Sequence, residues 1–232
     1  MEPWNQAEND PVDWAAIQKV FLDMDGTLLD LYFDNYFWRQ LVPVRYAQRH
    51  GLSEEKARAL VYARYGEVEG TLAWYSVDHW SQALGLDIPS LKEEAEHLIQ
   101  LHPQVLPFLE ALAARGKRRV LITNAHPKSI ALKLKKTRLG DHLDRILCAH
   151  ELGLPKECSE FWDLVQAVEP FSLEHTLFID DSPAVLQAAQ RYGFRHLLAV
   201  RQPDSQSPPQ PLGPFPAIDQ FAHLLDSLRT AS

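Results

Sequence analysis

The run Phe21-Leu22-Asp23-Met24-Asp25-Gly26-Thr27 places two carboxylates, one residue apart, where a short apolar stretch gives way to glycine. In an extended chain Asp23 and Asp25 would project to the same side, and Gly26 permits a sharp turn immediately after them. Such a pair can share a hard cation, or divide into a nucleophile and a proton shuttle. A strand-end Asp followed by an Asp-Gly turn is also ordinary turn chemistry, so the rest of the chain has to decide. Ile122-Thr123-Asn124 ends a second apolar run with a hydroxyl and an amide able to hold phosphate oxygens. Gly153-Leu154-Pro155-Lys156 sets a cation on a constrained loop, and Phe178-Ile179-Asp180-Asp181 adds two consecutive carboxylates. Adjacent carboxylates repel, and a divalent cation is the usual reason to place them beside another pair. Acid, hydroxyl with amide, cation and acid together suit metal-assisted phosphoryl transfer.

The elements that would position these groups are short apolar runs at Lys19–Leu22, Arg119–Ile122, Arg145–Cys148, His175–Ile179 and His196–Val200. Runs without alternation suit strands buried on both faces of a parallel sheet. Helical spacings separate them: Leu106, Leu109, Leu112 and Ala113 ending near Gly116, a segment opened by Pro127, another from Phe161 to Val168, and one opened by Pro183. Alternating strand and helix predicts an α/β fold, a Rossmann-like three-layer sandwich in which ligands sit at the carboxyl ends of the strands. Residues 31–102 break the rhythm. They show no strand pattern, only helical stripes such as Ala57, Leu60, Val61, Tyr65 and Ala73, Val77, Trp80, Leu84. This stretch holds 11 of the 23 aromatic residues and six of the seven tyrosines. The expected organisation is a core from 1–30 and 103–232 with a helical domain, 31–102, inserted after the first strand. Residues 202–216 contain six of the 16 prolines and suggest an extended surface loop, and Ile218 to Leu228 suggests a last amphipathic helix.

Composition narrows the function. The 232 residues carry 31 acidic and 23 basic side chains, a net charge of −8, which argues against nucleic acid or an anionic membrane as partner. Two cysteines are too few for a disulfide framework. Met1 to Gln6 lacks the basic-then-apolar pattern of a signal peptide, and no apolar run reaches the ~18–20 residues of a membrane helix, so the expected location is cytoplasmic. Dinucleotide, nucleoside-triphosphate, serine-hydrolase and zinc-protease fingerprints are missing.

Asp23-Met24-Asp25-Gly26-Thr27, Thr123-Asn124, Lys156 and Asp180-Asp181, in that order, resemble the four motifs of haloacid dehalogenase-superfamily phosphatases. The inserted helices resemble the family's C1 cap. Asp30 to Trp38 and Thr123-Asn124-Ala125-His126-Pro127 are similar to the bacterial purine nucleotide 5′-nucleotidases that act on GMP and IMP. The resemblance implies a small-molecule phosphate ester as substrate, here a purine nucleoside monophosphate, and Mg²⁺ as cofactor. It implies Asp23 as nucleophile and Asp25 as acid and base. Thr123 and the Asn124 backbone would hold the phosphoryl group, and Lys156 would offset its charge. The ion would lie on Asp23, the Asp25 carbonyl and Asp181, with Asp180 binding it directly or orienting its water. Superfamily dehalogenases generally lack the Asp at position 25, which favours hydrolysis. A sugar-phosphate phosphatase of the same fold is the alternative. A non-catalytic scaffold is disfavoured, because an intact acidic cluster is costly to keep without an ion.

Around the mouth of the site, Tyr32, Phe33, Asp34 and Asn35 directly follow the first motif and are expected to touch substrate, although Asp34 and Asn35 could equally cap a helix. His126 could reach the leaving group or serve as a loop histidine. Tyr65 and Trp80 lie on apolar stripes and are expected in the core. Cys148, His150 and Cys158 do not match zinc spacing. Lys133, Lys135 and Lys136 read as a solvated helix face.

Overall fold

The computed structural model describes residues 12–230; Met1 to Gln6, read above for a leader, lie outside the described residues. Five strands fall where the apolar runs predict: β1 Lys19–Leu22, β2 Arg118–Thr123, β3 Arg145–Cys148, β4 Thr176–Asp180 and β5 His196–Val200. A two-residue strand, β6 Ala217–Ile218, completes the sheet. All pairings are parallel and the order is β3-β2-β1-β4-β5-β6. The central strands β1, β2 and β4 therefore end side by side, which brings Asp23, Thr123 and Asp180 to one edge of the sheet.

Between β1 and β2 the chain is helical. It forms α1 (Tyr32–Tyr36), a π turn (Phe37–Leu41), α2 (Val42–His50), α3 (Glu54–Val68), α4 (Leu72–Tyr75), α5 (Val77–Leu84), α6 (Ile88–Glu94) and a 3₁₀ turn (Glu96–Leu98). The π turn has a local cause. Pro43 has no N–H to give the Arg39 carbonyl one helical turn earlier, and that oxygen instead accepts from Tyr62 Oη (3.1 Å) and Arg58 (3.3 Å) on α3. Helix α3 begins at a Ser53 cap and α6 at an Asp87 cap, and left-handed Gly51 and Gly85 end α2 and α5.

The later helices are α7 (Val105–Ala114), α8 (Pro127–Thr137), α9 (Ala149–Leu152), α10 (Ser159–Val168), α11 (Pro183–Tyr192) and α12 (Phe221–Thr230). Neighbouring strand residues serve opposite faces of the sheet. Val20 and Leu22 join one apolar cluster with α7 and α12, whereas Phe21 joins a second cluster with α10 and α11. The fold is the three-layer α/β sandwich the sequence predicts. The last helix corrects the expectation of a start at Ile218: that residue pairs with Val200 as the end of β6, and the helix begins at Phe221.

The proline-rich stretch is more than a surface loop. The Pro203 carbonyl accepts both Leu31 N–H (2.8 Å) and the His102 ring Nε2 (3.1 Å), one on each chain connection of the helical segment. Ser205 N–H donates to Asp30 (3.0 Å) and Asn35 Nδ2 to Asp204 (2.7 Å). Gln210 Nε2 reaches the Asp181 carbonyl at 2.7 Å, so the loop also buttresses the fourth motif.

Candidate active site

A cavity of about 560 Å³ opens at the carboxyl ends of β1, β2 and β4 and extends under the inserted helices. Asp23, buried at the end of β1, accepts from Lys156 Nζ at 2.5 Å. The same ammonium donates to Asp180 Oδ2 at 2.6 Å, and the other Asp180 oxygen accepts Ser182 N–H at 2.8 Å. Asp181 completes the cluster, with one carboxylate oxygen from each of Asp23, Asp180 and Asp181 lying within 4.8 Å of the others. The Asp181 carboxylate forms no ion pair among the described residues, and its hydrogen bond comes from its own backbone N–H. Gly26 explains how it fits: with φ at +85°, a Cβ there would stand 2.4 Å from Asp181 Oδ2.

Three carboxylates against one ammonium leave two negative charges in excess, the complement of a divalent cation, and every free donor atom is a hard oxygen. Burial pushes the Asp23 carboxyl up to about 6 against the pull of Lys156. Burial together with Asp180 and Asp23 raises Asp181 well above its ordinary value. Lys156 is held protonated: burial alone would lower its pKa, but Asp180 and Asp23 raise it further. The donor set therefore fits Mg²⁺.

Asp25 takes a different partner from Asp23. Its Oδ1 pairs with Lys133 Nζ at 2.7 Å, and that ammonium donates to Asp34 at 2.6 Å; Asp34 in turn accepts from Lys92 at 2.9 Å. Both lysines are buried, and Lys92 sits over the rings of Phe33 (4.8 Å) and Phe37 (4.7 Å). Burial brings Asp25 up to about 6, despite Lys133. Burial would also raise Asp34, but Lys133 and Lys92 hold it down at about 2. The two carboxylates of the first motif are thus raised alike, each to about 6, but face different ammoniums, Lys156 for Asp23 and Lys133 for Asp25.

Thr123 is buried, with Oγ1 accepting Ala125 N–H at 3.0 Å. The Asn124 side chain works as a brace: its oxygen accepts Lys156 N–H (3.0 Å) and its amide donates to Glu157 (2.9 Å). Glu157 also accepts Tyr75 Oη at 2.8 Å, a contact between α4 and the loop joining α9 to α10.

The expected mouth residues divide. Asp34, Asn35 and His126 line the cavity, whereas Tyr32 and Phe33 do not. Helical geometry turns Phe33 inward, where it is buried beneath Lys92 and Lys133, and Tyr32 packs against Tyr36. Neither Asp34 nor Asn35 is a helix cap; both lie inside α1. His126 does cap α8, accepting Lys128 N–H, and its ring stands 3.6 Å from Asp78. Tyr65 and Trp80 are buried as predicted, yet they also border the cavity. Lys135 and Lys136 are exposed, but Lys133 is not part of a solvated face, because its place on α8 points it at Asp25. Cys148 is buried with its thiol against the Ala125 carbonyl, and the potential metal cluster among the described residues is the Asp23-Asp180-Asp181 trio.

Residues 17–193 match the family described as haloacid dehalogenase-like hydrolase. The chain belongs to this hydrolase family. It is 43% identical over 217 residues to the GMP/IMP nucleotidase YrfG of Escherichia coli (strain K12), covering 94% of this chain and 98% of that protein; the Shigella flexneri protein of the same name matches equally. Among solved structures, a HAD phosphatase from Thermococcus onnurineus superposes with a TM-score of 0.75 at 21% identity, over 91% of this chain and 98% of that one. A putative beta-phosphoglucomutase from Thermotoga maritima gives 0.64 at 19% identity, over 93% and 100%. These likenesses establish the family's fold here. No helix among the described residues is long and apolar enough to cross a membrane.

Proposed function

We propose that the chain is a Mg²⁺-dependent phosphomonoesterase that hydrolyses purine nucleoside 5′-monophosphates, GMP and IMP, in the cytoplasm. The observation that carries the chemistry is Lys156, buried between Asp23 and Asp180 at the head of the cavity. The substrate rests on the 43% identity to the GMP/IMP nucleotidase, supported by the aromatic walls of the cavity.

Asp23 attacks phosphorus, and its new P–O bond replaces the bond to the ribose 5′-oxygen. Asp25 gives that leaving oxygen its proton, then takes one from the water that attacks the aspartyl phosphate, which returns Asp23 as a carboxylate and releases phosphate. Thr123 and the Asn124 backbone hold the phosphoryl oxygens, while Lys156 balances their charge. Asp23, Asp181 and the Asp25 carbonyl would hold Mg²⁺, which supplies further neutralisation of the phosphoryl charge. Asp180, with both oxygens already bonded, orients the site from behind. Segment 31–102 acts as a lid that keeps bulk water from the intermediate, with Asp34, Asn35 and His126 at its base.

Phosphate release from a panel of nucleotides and sugar phosphates, with Mg²⁺ or a chelator and alongside Asp23→Asn, tests this reading. Selective, Mg²⁺-dependent turnover of GMP and IMP that vanishes in the variant is expected. Turnover of sugar phosphates in preference to purine nucleotides would overturn the substrate; turnover that survives Asp23→Asn would overturn the mechanism.

A further inference from the structure

The cavity has two chemically different ends. At the inner end stand the aspartates and Lys156; at the outer end Arg39 and Glu69 line the rim, one from the π turn after α1 and the other just past α3. Trp38, Tyr62 and Trp74 wall the space between. Most of the ionic side chains in this cavity have charged partners, as Asp25, Asp34, Lys92, Lys133, Lys156 and Asp180 do. Arg39 and Glu69 differ. Both are exposed at the cavity's mouth, and neither the guanidinium nor the carboxylate forms an ion pair or hydrogen bond with any described residue.

The backbone that presents Arg39 is nevertheless fixed. Its carbonyl, freed by Pro43, is held by Tyr62 at 3.1 Å, so the loop bearing the guanidinium is tied to the helix that ends beside Glu69. An unengaged donor fork and an unengaged acceptor pair thus face one apolar-walled space from a shared support. Aromatic walls take the faces of a flat heterocycle and leave its edge for polar groups to read.

We propose that Arg39 and Glu69 read the edge of a 6-oxopurine and set the enzyme's base preference; this rests on the nucleotidase reading above. A 6-oxopurine presents an acceptor, O6, beside a donor, N1–H. Arg39 donates to O6 and N7, a bidentate match for guanidinium, and Glu69 accepts N1–H. In guanine the 2-amino group offers Glu69 a second donor, which hypoxanthine lacks. Adenine inverts the pattern: its N1 is an acceptor facing the Glu69 carboxylate, and its 6-amino group is a donor facing the guanidinium. AMP would keep only the N7 contact of the guanidinium, setting its 6-amino group against Arg39 and its N1 lone pair against Glu69, which is a stronger basis for rejection than size.

The test is the ratio of kcat/KM for GMP to that for AMP, measured in single preparations of the full-length Mg²⁺-loaded wild type, Arg39→Ala and Glu69→Ala. Because the ratio is internal to each preparation, partial misfolding cancels. Each variant is expected to lower it by about tenfold or more, the scale on which lost charged hydrogen bonds erode discrimination. Glu69→Ala should also lower GMP relative to IMP, whereas Arg39→Ala should lower both together. Ratios within about twofold of wild type in both variants would overturn the assignment, on the same scale. Equal wild-type turnover of AMP and GMP would also overturn it while leaving the nucleotidase reading intact. A wild type that prefers sugar phosphates would remove that reading itself.

Discussion

Lys133 Nζ stands 2.7 Å from Asp25 Oδ1 and 2.6 Å from Asp34 Oδ2, so one buried ammonium joins the first motif to the first inserted helix. Replacing it with an apolar side chain strands two carboxylates. Lys133→Met should cost about 3–5 kcal/mol of unfolding free energy, the usual penalty for breaking a buried pair. Urea denaturation measures this, and Lys133→Arg should recover part of it. A loss below about 1 kcal/mol, as for an exposed lysine, would show that the pair does not persist in solution.

Gly26→Ala tests the closeness of the first and fourth motifs. The added methyl would meet Asp181 Oδ2 at 2.4 Å and Cγ at 2.6 Å, and alanine is strained at φ +85°. Expected are a destabilisation of about 1–3 kcal/mol and a displaced Asp181 carboxylate. Titrating Mg²⁺ against phosphate release should then show a higher metal requirement than in the wild type. An unchanged requirement would mean that Asp181 has no part in holding the ion.

Lys156→Met removes the ammonium that Asp23 and Asp180 share, leaving three carboxylates unbalanced. Phosphate release should fall by about 10⁴-fold or more, as for residues acting as a unit. The variant should melt at a lower temperature in chelator and gain more from added Mg²⁺ than the wild type does, since binding the folded state stabilises it. Calorimetry with and without the ion decides this; an equal Mg²⁺ shift in both proteins would contradict the charge balance described above.

At the other end of the strands, Glu169 accepts from Lys19 and Arg118 and pairs with Arg145. Hydrogen bonding to Arg118, with Lys19 adding to it, holds its carboxyl at about 2, below an ordinary 4.5. A depressed carboxylate stabilises the fold above the unfolded value and loses that contribution as pH falls toward the folded one. Stability should therefore drop by about 3 kcal/mol between pH ~4.5 and ~2 from this group. The slope in this window should flatten in Glu169→Gln, followed by urea denaturation across pH.

The four motifs were legible because their chemistry sits in short contiguous stretches, three of them directly after the apolar run that marks a strand, with Lys156 farther on, past α9. Lys92, Lys133, Tyr75 and Glu157 were not. Lys133 stands among Lys135 and Lys136, and nothing local distinguishes the lysine that faces Asp25 from its two exposed neighbours. Lys92 lies on α6, far along the chain from the aspartate it serves, and only the folded insertion brings them together. The strand β6 escaped because two residues carry no period. The aromatic richness of 31–102 was plain, but which rings face the cavity depends on how α3, α4 and α5 pack. Phe33 shows the difficulty: it is adjacent to Asp34 in sequence, yet one side chain lines the cavity and the other lies beneath it.

The carbonyl of Pro203 bonds the chain where it leaves the sheet, at Leu31, and where it returns, at His102. A single acceptor holding both connections keeps the two crossings together, so the chain leaves and re-enters the sheet at one point. With Asn35 bonded to Asp204 and Asp34 to Lys133, the helices of 31–102 are tied to the same loop and to α8, and it is this double anchorage that sets Asp34 in register with Asp25.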